Sequence, residues 1–224
     1  VPAPGTSGRD TFGYTVTVGN GNTATGTVTV VVRPVATDDL ASVDAGRTVT
    51  VSAPGVLGND VGTGLTAAVT AAPQHGTVTI APDGTFTYAP TGGFSGTDTL
   101  SYTVTDRDGG TATATVTVTV APRAVDDAYE TPADTTLVVP ARGVLANDLG
   151  TGLTVTSVGT PAHGAATVGA DGALRYVPDA GTSGTDRFRY TVTDASGRTA
   201  TARAWVIVGD VATADTATAT AGRA

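Results

Sequence analysis

The chain has 224 residues, a formal net charge of −8 at pH 7 and a pI near 4.4, and all twelve of its basic residues are arginine. This acidity disfavours nucleic-acid binding, and the absence of cysteine and lysine excludes disulfides, thiol chemistry and lysine-based cross-links. Aromatic residues make up only 5% of the chain, while threonine and valine alternate, a composition typical of β-sandwiches with thin cores.

The sequence repeats itself with a period of 88 residues. The motif that contains Asp10 returns around Asp98 and again around Asp186, at a constant interval. A fixed period of this length indicates one folding unit copied in tandem. The repeat divides the chain into residues 1–34, the C-terminal part of a copy; residues 35–122 and 123–210, two complete copies; and residues 211–224, the first strand of the next copy.

Residues 1–34 are sufficient only for a two-stranded hairpin. An isolated hairpin is marginal in water, so we expect other strands to cover its apolar face. These strands come either from a longer continuous chain, the alternative that we favour, or from a neighbouring molecule by strand addition in a filament or surface array. The apolar face carries Phe12, Tyr14, Val16, Val28, Val30 and Val32.

Within a complete copy, the predicted strands follow one another through short turns. RTVTVSA and LTAAVTAA each predict one strand, and HGTVTIAPDGTFTYAP predicts a hairpin that turns at residues 82–84. Residues 98–106 and 111–120 predict a second hairpin, because TDRDGG between them supplies Asp and Gly for the turn. Period-2 alternation places one set of its side chains on the inward face: Leu100, Tyr102, Val104, Val116, Val118 and Val120.

The strand density predicts the fold class. No segment has a helical period of apolar residues, and about six to seven strands per copy are typical of an immunoglobulin-like sandwich. We therefore predict an all-β chain of tandem Ig-like β-sandwich repeats. Tyr102 and Tyr190 are predicted to close the corner at the start of the sixth strand of each copy. Val104 takes the place of the core cysteine of antibody domains.

Several phrases, in a constant order, resemble a known family. GVLGND and GVLAND, PQHGTVTIAPDGTFTYAP, GFSGTDTLSYTVTD and GGTATATVTVTV are similar to the bacterial cadherin-like or Ig-like tandem repeats of giant surface adhesins and cell-surface proteins. The resemblance covers essentially the whole chain. It implies an extracellular spacer or stalk on the cell surface that holds a distal binding region away from the cell or links cells in a biofilm, with no enzymatic reaction.

The alternative is a binding module whose repeats themselves recognise carbohydrate or a neighbouring cell surface. In either case the expected partners are adjacent repeats of the same or a neighbouring chain. Membrane insertion is not expected, because the chain has no apolar run of about 18 residues.

The resemblance also implies calcium at the junctions between copies. The matching acids are Asp38 and Asp39 in one linker and Asp126 and Asp127 in the next. Calcium takes about six to eight oxygen ligands, yet the acidic run that usually follows Asn-Asp in the family is replaced here by VGTG and LGTG. Two interpretations stay open, interdomain calcium or solvated turn and cap acids. No other cofactor is expected.

The remaining candidate residues have mainly structural interpretations. His75 and His163 each occupy the same turn before a strand, which favours a repeated structural role over catalysis. Asp106, Asp108 and Asp194 are predicted as hairpin-turn acids, and the Gly-Thr-Gly segments as turns.

One strand breaks the repeat. Trp205 and Ile207 occupy outward positions that carry threonine in the preceding copy, and they are candidates for a lateral partner contact. The other interpretation is that they pack against a neighbouring strand or linker.

Overall fold

A computed structural model of the chain describes residues 3–210. Within this range, two compact units are present. Unit 1 runs to Ala121 and also includes Leu149–Thr151, whereas unit 2 contains Pro122–Asp148 and the residues from Gly152 onward. The predicted strand in residues 211–224 lies outside the described residues.

The described part of the chain is built from β-strands, as predicted. Unit 1 contains β1 (Gly8–Thr17), β2 (Thr23–Val32), β3 (Asp39–Asp44), β4 (Val49–Val51), β5 (Thr66–Ala71), β6 (Gly76–Ile80), β7 (Phe86–Pro90), β8 (Gly96–Thr105) and β9 (Thr111–Ala121). Unit 2 contains β10 (Asp127–Pro132), β11 (Leu137–Val139), β12 (Thr154–Val158), β13 (Gly164–Val168), β14 (Leu174–Pro178), β15 (Gly184–Thr193) and β16 (Thr199–Gly209). Two 3-10 helices span Gly55–Leu57 and Gly143–Leu145. Within residues 3–210, no helix has the length and apolar character needed to cross a membrane.

Each complete copy is a sandwich of seven strands in two sheets. In unit 1 the sheets have the orders β3-β9-β8-β5 and β4-β7-β6, and in unit 2 the orders β10-β16-β15-β12 and β11-β14-β13. Both predicted hairpins of the copy are confirmed as β6–β7 and β8–β9. The sequence analysis did not predict that β3, the first strand of the copy, pairs in parallel with β9.

The core of each copy follows the predicted alternation. Leu100, Tyr102, Val104 and the three predicted valines of β9 are all buried. Their equivalents in unit 2 pack in the same way, although Phe188 replaces the leucine. The inward face of β8 and β9 is therefore read correctly from the sequence.

A close backbone approach joins the 3-10 helix of each copy to the turn of its β6–β7 or β13–β14 hairpin. The Val56 N–H donates to the Gly84 carbonyl at 3.0 Å, and in the second copy the Val144 N–H donates to the Gly172 carbonyl at 3.0 Å. Gly84 has a φ of +86°, and a Cβ there would meet the carbonyl oxygen of Pro54. This position therefore requires glycine for both its conformation and its space.

Candidate functional site

A tyrosine hydroxyl and two carboxylates form a cluster in each copy, buried in the second copy and partly buried in the first. In the second copy the Tyr190 hydroxyl lies 2.8 Å from Asp127 Oδ2, 2.9 Å from the Val144 carbonyl oxygen and 3.3 Å from both Asp148 carboxylate oxygens. A phenol has one proton to donate, so it can satisfy only one of these acceptors at a time. The cluster thus holds more acceptors than that hydroxyl can serve.

The first copy repeats the cluster with residues displaced by 88. The Tyr102 hydroxyl lies 2.8 Å from Asp39 Oδ2, 2.9 Å from the Val56 carbonyl oxygen and 3.4 Å from Asp60 Oδ2. Both tyrosine rings are buried, as predicted. The corner assignment was wrong, because a corner tyrosine bonds to backbone a few residues upstream, whereas Tyr102 reaches Val56, 46 residues away.

Burial shifts the ionisation of these carboxyl groups. The pKa of Asp127 is raised to about 6, mainly by burial and also by the nearby Asp148 charge, while the hydrogen bond from Tyr190 opposes the rise. Burial likewise raises the pKa of Asp148, Asp39 and Asp60. The acid–tyrosine cluster therefore favours a retained proton, chiefly because burial disfavours the charged carboxylate, and repulsion from the second carboxylate adds to this at Asp127 and Asp39.

The neighbouring linker acids, Asp38 and Asp126, form hydrogen bonds outside this cluster. Asp38 Oδ1 accepts the Thr115 N–H at 2.8 Å, and Asp126 Oδ1 accepts the Arg203 N–H at 2.7 Å. Asp38 and Asp126 are exposed and cap a backbone N–H, whereas Asp127 is buried against Tyr190.

The four predicted calcium ligands thus fall into two separate pairs, one in each copy. Among residues 3–210 no group of three or more His, Cys, Asp or Glu side chains could hold a metal ion. The geometry fits hydrogen-bonding caps better than a calcium site, and calcium at these residues stays a prediction.

A second buried carboxylate organises the turn that contains each histidine. Asp98 Oδ2 accepts hydrogen bonds from the Tyr88 hydroxyl and the His75 N–H, each at 2.9 Å, and Oδ1 accepts the Gln74 N–H at 3.1 Å. The His75 ring stacks on Phe94 with the ring centroids 4.2 Å apart. The histidine backbone provides the link, which agrees with the predicted structural role.

The second copy reproduces this arrangement around Asp186. Its Oδ2 accepts the Tyr176 hydroxyl at 2.8 Å and the His163 N–H at 2.9 Å. Sequence reasoning missed the role of Asp98 and Asp186, although their place in the most regular motif of the repeat was the signal. Two of the predicted turn acids bond within their own turns, since Asp106 Oδ1 accepts the Gly110 N–H at 2.7 Å and Asp194 Oδ1 accepts the Arg198 N–H at 2.9 Å. The Asp108 carboxylate instead accepts the Arg9 N–H of the β1–β2 hairpin at 2.9 Å.

A reciprocal pair of hydrogen bonds, which we call the Ser–Thr clasp, occurs twice in unit 1. The Thr63 N–H donates to Ser7 Oγ at 3.0 Å, and the Ser7 N–H donates to Thr63 Oγ1 at 3.3 Å. The clasp recurs between Ser95 and Thr151, at 2.9 and 3.1 Å. Each clasp joins the final hairpin of one copy to the Gly-Thr-Gly segment of the next copy. Those segments were predicted only as turns.

Two apolar surfaces that the sequence analysis identified are exposed in the described residues. On the β1–β2 hairpin, Phe12 and Tyr14 are 55% and 50% exposed, whereas Tyr102, at the position equivalent to Tyr14, is fully buried. On β16, Trp205 is half-buried and Ile207 is 43% exposed. The outward direction of Trp205 and Ile207 follows from the burial of Ala204, Val206 and Val208, while their role as a partner contact stays a prediction.

Comparison with known proteins identifies one matching family model. The model of the bacterial Ig domain matches residues 32–119 and 120–207. No curated protein sequence matches the chain.

Solved structures give weaker similarities. An endo-fucoidan hydrolase from glycoside hydrolase family 107 is similar with 15% identity and a TM-score of 0.33, over 92% of this chain and 34% of that chain. Extracellular cadherin domains 3–6 of protocadherin gamma B2 show 17% identity and a TM-score of 0.30, over 89% of this chain and 59% of that chain. Drosophila N-cadherin EC1–4 shows 13% identity and a TM-score of 0.29, over 92% of this chain and 59% of that chain. The chain therefore spans at most 59% of these three solved chains.

Proposed function

Since the chain belongs to the bacterial Ig domain family, we propose that its copies are structural spacer modules of an extracellular bacterial adhesin or surface filament. In this proposal the modules hold a distal binding region away from the cell and do not catalyse a reaction. Domains of this family are typically extracellular and non-catalytic. The proposed partners are adjacent repeats of the same or a neighbouring chain.

The observation that carries this proposal is the Ser–Thr clasp. A spacer needs joints in which each copy contacts the next, because a chain of flexible linkers would not hold a distal region at a distance. Within unit 1, Ser7 and Thr63 make such a joint, and Ser95 and Thr151 repeat it with the same atoms. A net contribution of about 0.5–1.5 kcal/mol per hydrogen bond gives each clasp about 1–3 kcal/mol.

Solution scattering of chains of increasing length tests the spacer function. The natural chain is compared with chains that carry one and two additional copies of residues 123–210. We expect the maximum dimension to grow by a constant increment with each added copy. A dimension that stays unchanged, or increments that shrink with length, would contradict a spacer. A matched chain with Ser95→Ala and Thr151→Ala shows how far the clasp contributes.

The second candidate function, recognition of carbohydrate or a neighbouring cell surface by the repeats themselves, is favoured by the half-buried Trp205 and the exposed Ile207 on the outward face of β16. A glycan array separates the two. A pure spacer gives no signal above background, whereas recognition by the repeats gives a signal that Trp205→Thr and Ile207→Thr reduce. These substitutions restore the residues of the preceding copy.

The exposed face of the β1–β2 hairpin supports a further part of the proposal. In the complete copies, the equivalent faces around Tyr102 and Tyr190 are buried within the sandwich. We therefore propose that strands of a further copy cover Phe12 and Tyr14, from the same polypeptide or from a neighbouring molecule. Mass spectrometry of native material distinguishes these sources, because a species near 21.9 kDa favours the neighbouring molecule.

A further inference from the structure

The outward face of the β15–β16 hairpin departs from the repeat at five neighbouring positions. The preceding copy has small hydroxyl side chains there, Thr99, Ser101, Thr115, Thr117 and Thr119. The second copy replaces them by Arg187, Arg189, Arg203, Trp205 and Ile207. We call this surface the arginine–tryptophan face.

The strand register brings these side chains together. Arg187 lies directly opposite Trp205, and Arg189 lies directly opposite Arg203. Opposed residues in an antiparallel pair have Cβ atoms about 4.5–5.5 Å apart, and alternate residues along a strand are about 7 Å apart. The three guanidinium groups thus share one small area, and all three arginines are exposed.

One acid lies beside the positive charges of this face: the Asp126 carboxylate accepts the backbone N–H of Arg203 and shares a small surface cleft with Arg189. Like charges directly opposite each other destabilise a strand pair, and among residues 3–210 no ion pair joins the three guanidinium groups to an acid. Glu130 is exposed on the neighbouring strand, where its backbone is in register with that of Ile207. Three unpaired arginines in a chain of net charge −8 therefore favour an anionic ligand.

A cleft adjoins the arginines. Its volume is about 320 Å³, and its lining consists of Gly159, Thr160, Arg187, Phe188, Arg189 and Arg203. Planar guanidinium groups bind carboxylate or sulfate through two parallel hydrogen bonds. A tryptophan ring offers a flat apolar surface with a polar edge, which suits the face of a sugar ring.

We propose that the arginine–tryptophan face is a binding site for an anionic polysaccharide that bears sulfate or carboxylate groups. This inference does not depend on the spacer function; it rests on the second candidate function, recognition of carbohydrate by the repeats, and specifies its site and the class of its ligand. A polysaccharide fits better than duplex DNA, because a chain of net charge −8 with three contacting arginines gains little from the dense phosphate charge and is repelled elsewhere. The first complete copy lacks the face and provides an internal control.

The test measures binding of heparin, which is sulfated, and alginate, which is carboxylated, to the full chain. Trp205 is the only tryptophan, so its fluorescence reports directly on the site. We expect binding of both polyanions, no binding of neutral dextran, and a dissociation constant that rises with salt because counterions are released. Substituting Arg187→Thr, Arg189→Ser and Arg203→Thr should weaken binding by about tenfold or more.

The reciprocal change creates a second site in the first complete copy. Thr99→Arg, Ser101→Arg, Thr115→Arg and Thr117→Trp should double the number of sites measured by calorimetry. Because every substitution uses a residue that occupies the same register position in the other copy, the fold is expected to persist, and circular dichroism checks this.

Three results would overturn the proposal. One is unchanged heparin binding after the arginine substitutions together with no added site in the reciprocal variant. Another is equal affinity for heparin and a short DNA duplex. The third is self-association in sedimentation that the arginine substitutions abolish, since the face would then bind a second copy of the chain.

Discussion

The Asp127 carboxyl group makes the stability of unit 2 dependent on pH, in a direction set by its burial. Burial raises its pKa from 3.8 to about 6. Below about pH 4 both the folded and the unfolded chain hold the proton. Between about pH 4 and pH 6 only the unfolded chain releases it, so the free energy of unfolding falls as the pH rises and the loss is nearly complete by about pH 7.

The size of this change in the free energy of unfolding follows from the shift in the pKa of Asp127. About two pKa units correspond to about 3 kcal/mol, and solvent screening of this partly solvated pair reduces the expected effect to about 1–3 kcal/mol. Asp127→Asn removes the titration and keeps an oxygen that accepts from the Tyr190 hydroxyl. We expect its stability relative to the natural chain to rise by that amount between pH 4.5 and pH 7.5.

Urea unfolding followed by the fluorescence of Trp205 measures this difference, because the only tryptophan lies in unit 2. Asp186→Asn is the matched control. Burial would raise the pKa of Asp186, but hydrogen bonds from Tyr176 and backbone N–H groups lower it overall, so its contribution is present at neutral pH and lost as the pH falls. Parallel pH profiles for the natural chain and Asp127→Asn would refute the reasoning.

Three further predictions concern the core, the joints and the linker acids. Tyr102→Ala and Tyr190→Ala should each lower the free energy of unfolding by about 3 kcal/mol or more, whereas Thr117→Ser should lower it by under about 0.5 kcal/mol. Equal losses of free energy in denaturant titrations would mean that the assigned inward and outward faces are inverted. Ser95→Ala and Thr151→Ala should each lower the free energy of unfolding by about 0.5–1.5 kcal/mol, because each removes the hydroxyl that accepts one backbone N–H of the clasp, and no loss at either position would argue against the clasp. If calcium binds the linker acids, the maximum dimension from solution scattering and the melting temperature should differ between samples with calcium and samples with chelator. If neither quantity changes, calcium binding at these acids is excluded.

The sequence predicted the all-β fold because its main signals are local. Alternation in β9 and the Asp-Gly turns fix strand faces and hairpins within about ten residues. The parallel pairing of β3 with β9 could not be predicted in this way, because it joins segments 77 residues apart, from Asp39 to Val116. Asp39 was read only as a linker acid for the same reason.

The candidate site was predicted less completely than the fold. The corner assignment of Tyr102 correctly gave a buried ring, but the acceptor of its hydroxyl depends on where the 3-10 helix packs. The Ser–Thr clasp was not predicted because serine and threonine are common turn residues. Only the contact in the folded structure distinguishes Thr63 from its neighbours in the sequence. In contrast, the departure of Trp205 from the repeat could be recognised from the sequence alone.

The Ser–Thr clasp has a consequence for how such a chain can change length. Ser7 and Ser95 recur with the same period as their partners Thr63 and Thr151, so each joint is specified by two residues 56 positions apart. Duplication or loss of a whole 88-residue unit through recombination between similar gene segments would recreate every joint in register. An insertion or deletion between a serine and its threonine would change the separation of 56 positions that these joints share. Copy number can therefore vary in whole units without any redesign of the contacts between copies.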